Sequence, residues 1–347
     1  MSRKQKILPG HSAAKYGVGN MTPDRYEVSA AGPRRLTGNL QQRGSTMGIT
    51  SWSGIAFGGV FVAAGTAITL MGTRVLEVDP ASVHAPYWLL TVAGAFFAGG
   101  GLWIWSMAWR QLAANRARVE ATRRYPNEPA LTDYHWHPDG YQVSEWPGLA
   151  KAAGWAMGMT VFLSIFNYWA FVAHGPWMVK GGVGLFDFAA LCMWFQAARQ
   201  LGRALKFGHT RVAFTSFPFR PPNPVVLRWQ PSKGIVRVNK GTFTLRCVAE
   251  WWERYGSGEN QNNTLVHEEI WSAKWILDQP RNLHPRDDVE LRYELPLDAK
   301  PTNLSTGKLI FWELEVKLDL PGLDFNETYL VPVYGPAQTA AVPTAAV

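Results

Sequence analysis

Cysteine is nearly missing from this chain. Its 347 residues hold only Cys192 and Cys247, so neither a disulfide framework nor a cysteine-based metal site can be built. Acidic residues are also scarce, 26 against 34 lysines and arginines, for a formal charge of +8. That sign can serve nucleic acid, but no aromatic platforms interleave the arginines, and the basic residues gather beside apolar segments instead. Such placement predicts topology determinants and contacts to anionic headgroups. The first 44 residues contain no apolar core of a cleavable signal peptide, so the first membrane helix is expected to act as its own insertion signal. There is no G-x-S-x-G, phosphate-binding glycine loop, H-E-x-x-H or C-x-x-C, which lowers the case for an enzyme.

The most informative absence is of charge in long stretches. No Asp, Glu, Lys or Arg occurs from Gly44 to Thr73 or from Pro80 to Trp109. From Ala152 to Val179 the one group able to charge near neutrality is His174, and from Gly181 to Ala198 the one charged residue is Asp187. Each run reaches the ~20 residues that cross ~30 Å of hydrocarbon. The expectation is four transmembrane helices, at about 50–71, 87–109, 152–173 and 181–202, within a domain spanning 49–204. Seventeen tryptophans suit a chain with several water–lipid interfaces.

Basic residues alternate from high to low across the five flanking segments. The tail 1–48 carries Arg3, Lys4, Lys6, Lys15, Arg25, Arg34, Arg35 and Arg43, and its composition predicts disorder. The loop after the first run has Arg74 alone, against Glu77 and Asp79. The connection 110–151 holds Arg110, Arg116, Arg118, Arg123, Arg124 and Lys151, and its arginine run reads as a helical extension touching anionic lipid. One lysine, Lys180, follows the third run, and Arg199, Arg203 and Lys206 close the fourth. This pattern predicts two hairpins with both termini in the cytoplasm. Gly54 with Gly58, and Gly154 with Gly158, form G-x-x-x-G pairs expected to pack the helices within one subunit.

Strand signals replace helix signals from about Thr210. In Leu309–Asp319, Ile310, Trp312, Leu314, Val316 and Leu318 alternate with Phe311, Glu313, Glu315, Lys317 and Asp319, the mark of a half-buried strand. Similar alternation over 242–251 and 289–295, with five further candidates, predicts about eight strands in an antiparallel β-sandwich over 205–335. Residues 336–347 read as a disordered tail.

Certain residues carry a family resemblance. They are Leu205-Lys206-Phe207-Gly208, Leu245-Arg246-Cys247, Glu269-Ile270-Trp271, Glu294-Leu295-Pro296-Leu297 and Ile310–Val316. The ending Leu320-Pro321-Gly322-Leu323-Asp324-Phe325, followed by Val331-Pro332-Val333, is the most specific piece. Together with Pro126-Asn127-Glu128-Pro129, Trp136 and Gly140, these resemble a family of bacterial integral membrane proteins with an arrestin-like cytoplasmic β-sandwich. The resemblance implies a fold, a topology and a bacterial inner-membrane location, and carries over no activity.

Among candidate sites, Asp187 is costly inside a membrane run and is within reach of Asn167 or Tyr168 on the third helix. His135, His137 and Asp139 could offer metal ligands, against the plainer reading of Tyr134, Trp136, Tyr141 and Trp146 as headgroup anchors. The expectation is a non-catalytic membrane adaptor or scaffold. It would bind a protein partner through its sandwich, with membrane lipids as the other contact, no cofactor and no nucleic acid. Two alternatives stay open: a small transporter or channel subunit using Asp187, and a membrane enzyme with a metal at His135, His137 and Asp139.

Overall fold

The computed structural model describes residues 23–29, 32–37, 43, 51–79, 83, 86–125, 128–232, 235–255, 262–284, 287–304 and 308–335; the side chains of Ser51, Arg118, Tyr255 and Asn262 stay outside that description. The chain divides into two compact units. A helical unit comprises residues 47–117 and 146–202, and a β unit collects residues 1–46, 118–145 and 203–347. Expectations for residues 1–22, 44–50 and 336–347 fall outside the described residues.

The helices are α1 (Ser51–Gly72), α2 (Tyr87–Arg124), a single turn α3 (Pro129–Thr132), α4 (Trp146–Asn167) and α5 (Trp177–Phe207). A π turn, Tyr168–Val172, continues α4. Four of these helical stretches are long and apolar enough to cross a membrane. Their outward faces carry large apolar groups, among them Trp52, Trp88, Trp155 and Trp177 at 60–76% exposure, a surface suited to lipid rather than water. The α2 helix runs on through Arg124, in line with the expected extension, whereas α4 starts six residues before Ala152 and α5 four before Gly181.

Within the helical unit, α1 and α2 touch backbone to backbone. Gly58, Gly65 and Gly72 recur every seven residues on α1, opposite Gly94 and Gly101 on α2. A Cβ placed on Gly65 would lie 2.2 Å from the Ala98 nitrogen and 2.7 Å from the Gly94 oxygen. One on Gly101 would lie 2.7 Å from the Gly58 oxygen. Small residues here replace the hydrophobic drive that lipid removes, by letting dispersion contacts form along the whole seam. The Trp105 indole N–H donates to the Ile55 carbonyl across the same seam. The expected packing glycines divide. Gly54 and Gly58 are buried, and Gly158 meets the Phe96 ring, where a Cβ would approach to 2.8 Å. Gly154 is a correction: nothing lies within 4 Å of its Cβ position. The seam follows a seven-residue repeat, which a single four-residue motif does not capture.

The strands are β1 (Arg25–Val28), β2 (Arg34–Arg35), β3 (Tyr141–Ser144), β4 (His209–Phe214), β5 (Val225–Gln230), β6 (Arg237–Val238), β7 (Lys240–Tyr255), β8 (Asn262–Leu277), β9 (Arg281–Asn282), β10 (Val289–Tyr293), β11 (Leu309–Asp319) and β12 (Phe325–Val331). One sheet runs β1-β8-β7-β11-β12, with β2 also on β8; a second runs β10-β5-β4-β3; β6 and β9 form a ribbon. Every pairing between these strands is antiparallel. Both sheets feed one core, with Leu227, Trp229, Leu291 and Tyr293 from one and Phe243, Leu245, Trp312 and Leu314 from the other, each at most 1% exposed. Burial pushes the Cys247 thiol within this core up to about 12, which leaves it inert.

Three expectations need correction. The tail is not wholly disordered, because residues 24–29 and 34–36 pair along β8 and Arg43 is placed on the same sheet. The connection 110–151 is not only a loop, because β3 joins the second sheet against β4. Short strands such as β1 and β2 take their order from the edge they meet, so their own sequence has no periodicity to read. Tyr134 and Trp136 pack over a small apolar cluster of the β unit, and Tyr141 is buried with its hydroxyl donating to the Leu330 carbonyl at 2.9 Å; they are not headgroup anchors.

Two of the family-like motifs, Leu205–Gly208 and Leu320–Phe325, meet in the β unit. The Lys206 ammonium donates to the carbonyls of Pro321 and Leu323, at 2.8 and 2.7 Å. The Phe207 ring meets Phe325 edge to face at 5.2 Å, and Gly208 and Gly322 adopt the positive φ values of +48° and +85°. Arg203 pairs with the buried Glu145 at 2.9 Å. These motifs tie the last turn of α5 to the turn before β12.

Replacing Gly65 with valine should destabilise the helical unit by at least ~1–3 kcal/mol, since the new atoms meet backbone that cannot rotate away. Alanine at Gly154 should be neutral or slightly stabilising, because only helix propensity changes there. Thermal unfolding of the purified protein in detergent, followed by circular dichroism, separates the two variants.

Candidate functional site

An edge strand presents a row of unpaired amides and carbonyls, and the edge of β8 is filled by the chain's own amino-terminal segment. In β1, Arg25 lies opposite Ile276 and Val28 opposite Ala273; in β2, Arg34 lies opposite Glu269 and Arg35 opposite Glu268. The Ser29 amide donates to the Ser272 carbonyl and the Leu36 amide to that of His267, both at 2.9 Å. The described parts of the segment therefore run antiparallel along β8.

The same segment covers the sheet face turned away from the core. The alternation that buries Leu245, Trp312 and Leu314 puts Arg246, Glu313 and Glu315 on that face, yet Arg246 and Glu313 are only 5% and 4% exposed. The Arg246 guanidinium donates to Glu313 Oε1 through Nε at 2.8 Å and Nη2 at 2.6 Å, and Nη1 stands 3.4 Å from Glu315. Burial alone would discourage its charge, but the two carboxylates outweigh that and hold its pKa above the ordinary arginine value.

Around this pair the amino-terminal segment supplies cations. Arg34 Nε donates to Glu269 Oε1 at 3.0 Å, and the Ser272 hydroxyl donates to the same oxygen at 2.9 Å. Arg43 Nη2 reaches Glu313 Oε2 at 3.1 Å and the Thr328 hydroxyl at 2.8 Å. The Arg43 amide donates to Glu250 Oε2 at 2.9 Å, and His267 Nε2 lies 2.8 Å from the same atom. Between the two arginines, Leu36 packs on an apolar patch of Val248, Leu309, Phe311 and Leu330. Backbone pairing, two guanidinium contacts and one apolar anchor thus seat a basic segment on an acidic sheet face.

The residues singled out from sequence lie elsewhere. Asn167 Nδ2 donates to Asp187 Oδ1 at 2.8 Å, joining α4 to α5 one residue before the π turn. His135 and Asp139 are exposed, with the His135 and His137 rings 5.9 Å apart, and among the described residues no group of three His, Cys, Asp or Glu is placed to hold a metal. Arg110, Arg116, Arg123 and Arg124 are exposed on α2, while the side chain of Arg118 is outside the described set. The sheet face itself went unread, because an alternating charged strand looks solvated. The available signal was Arg246 standing opposite a strand that carries Glu313 and Glu315.

No protein-family model matches the sequence, and no curated protein matches it. Among solved structures the chain is similar to the sporulation control protein Spo0M of Bacillus subtilis at 12% identity, over 36% of this chain and 48% of that one, with a TM-score of 0.21. The likeness thus spans about half of the Spo0M chain, and its TM-score is too low to define a shared fold.

Replacing Arg246 with methionine should destabilise the β unit by ~3–5 kcal/mol, because Glu313 and Glu315 would lose the buried guanidinium they share. Changing Glu313 to leucine in the same chain should recover a large part of the loss. A double-mutant cycle on unfolding midpoints measures both effects.

Proposed function

We propose that this protein is a membrane-anchored, non-catalytic adaptor whose β unit, an arrestin-like sandwich, binds another protein by adding a strand to a sheet edge. The observation that carries this reading is the β8 edge, which holds an extended segment of the chain in regular antiparallel register. Strand addition draws affinity from main-chain hydrogen bonds and specificity from the side-chain contacts beside them, and both kinds of contact meet here. The four long apolar helices support the anchor. The alternating basic flanks support a bacterial inner-membrane protein with both termini in the cytoplasm and with Arg110, Arg116, Arg118, Arg123 and Arg124 against anionic headgroups.

Gentle extraction of the tagged full-length protein from its native membranes, followed by mass spectrometry, should recover a reproducible protein partner. Recovery of the chain alone across independent preparations counts against the adaptor. A reporter joined to the carboxy end should be active only in its cytoplasmic form.

The bond between Asn167 and Asp187, next to a π turn, supports a second reading as a small transporter or channel subunit. Asp187→Asn keeps a side chain of the same shape that can still pair with Asn167, so stability should change by less than ~1 kcal/mol. A cell carrying that variant that loses the deletion-sensitive phenotype, with normal protein levels, would favour transport; an unchanged cell leaves the pair as a packing tie.

A further inference from the structure

We infer that the β8 edge and the acidic face beside it are a recognition site for an extended, arginine-bearing protein segment, and that residues 24–29, 32–37 and 43 occupy it as a built-in stand-in. The inference rests on the reading of the β unit as a protein-binding module and names the chemistry of its partner.

Two carboxylate sockets define that chemistry. The first is Glu269 with the Ser272 hydroxyl, filled by Arg34; the second is Glu313 with the Thr328 hydroxyl, filled by Arg43. Guanidinium suits them better than ammonium, being planar, less strongly hydrated and able to meet several acceptors at once. Glu269 and Glu313 are only 5% and 4% exposed, so an occupant that left Glu269 without a cation, or Glu313 with Arg246 alone, would be penalised by their burial. The apolar patch under Leu36 calls for a branched aliphatic side chain between the two arginines. Backbone pairing with β8 requires peptide amides, which neither a lipid nor a nucleic acid supplies in this register.

The stand-in fits incompletely, which leaves room for a better occupant. Its two strands are only 4 and 2 residues long. The Arg34 side chain remains 62% exposed. Arg43 Nε is buried and has no hydrogen-bond partner among the described residues. A cleft of about 370 Å³, lined by Arg34, Arg246, Glu269, Lys274 and Glu315 among others, opens between the segment and the sheet. A foreign strand that paired with β8 over a longer stretch than these two short strands would add ladder hydrogen bonds. A tethered segment competes at high local concentration, so the partner must exceed it in contacts.

The test uses full-length protein in lipid nanodiscs and a fluorescent synthetic peptide of residues 23–43, read by anisotropy. With Arg34→Ala and Arg43→Ala in the chain, the internal competitor is weakened, and the wild-type peptide should bind at least about tenfold more tightly than it does to the unaltered chain. Alanine at either arginine of the peptide should cost about tenfold in affinity. An alanine-substituted peptide that binds as well as the wild-type one overturns the proposal, as does a peptide that binds neither chain. If the doubly substituted chain does not fold, a wild-type chain carrying a protease site within residues 44–50 is cut after folding. Labelled peptide should then replace the released segment, and exchange that ignores the arginines is again fatal. Arginine-dependent binding with no partner recovered from membranes keeps the site and removes the adaptor; a recovered partner with arginine-independent binding does the reverse.

Discussion

The burial of Arg246 between Glu313 and Glu315 is the constraint on which the β unit depends. A sheet face that carries two carboxylates can be solvated and left open, or covered and neutralised. Here it is covered. One central guanidinium offsets only part of the negative charge, since Glu250 and Glu269 stand on the same face. Much of the remaining balance comes from the amino-terminal segment, through Arg34 and Arg43. Buried ion pairs of this kind add little net stability over apolar packing, but they penalise any arrangement that leaves one member alone. They therefore specify which segment sits on the sheet more than they strengthen it.

The helical unit meets a different constraint. Between helices set in lipid there would be no water to exclude, and close approach and dispersion would have to hold the pair. The seven-residue glycine repeat of α1 and α2 meets that need by removing the side chains that would keep two backbones apart. Thr69 and Thr91 return their hydroxyls to carbonyls of their own helices, at 2.8 and 3.0 Å, so they add polarity without demanding a partner across the seam.

Much of this was legible in the sequence. The apolar runs announced four long helices because charge is costly in hydrocarbon, and strict alternation announced β7, β10 and β11 because side chains in a strand point alternately to two faces. The Asn167–Asp187 bond was within reach of the same reasoning, since each polar group in such a helix needs a neighbour. What stayed hidden has a common cause. The order of β1, β2 and β3 is imposed by partners far away in sequence, and the charged face of β11 reads as exposed until a distant segment is laid over it. Local pattern reports what a segment prefers, whereas these segments are placed by what they cover.

One feature of the layout bears on how the protein is made. The β unit is assembled from three separated stretches of chain, with the long helices lying between them in sequence. Its first strands leave the ribosome when the strand that will receive them is more than two hundred residues from being synthesised. Register along β8 cannot form during early translation, and closure of that edge is among the last long-range events available to the chain. The basic segment is thus made long before the acidic face that receives it, and is already tethered nearby when that face is completed.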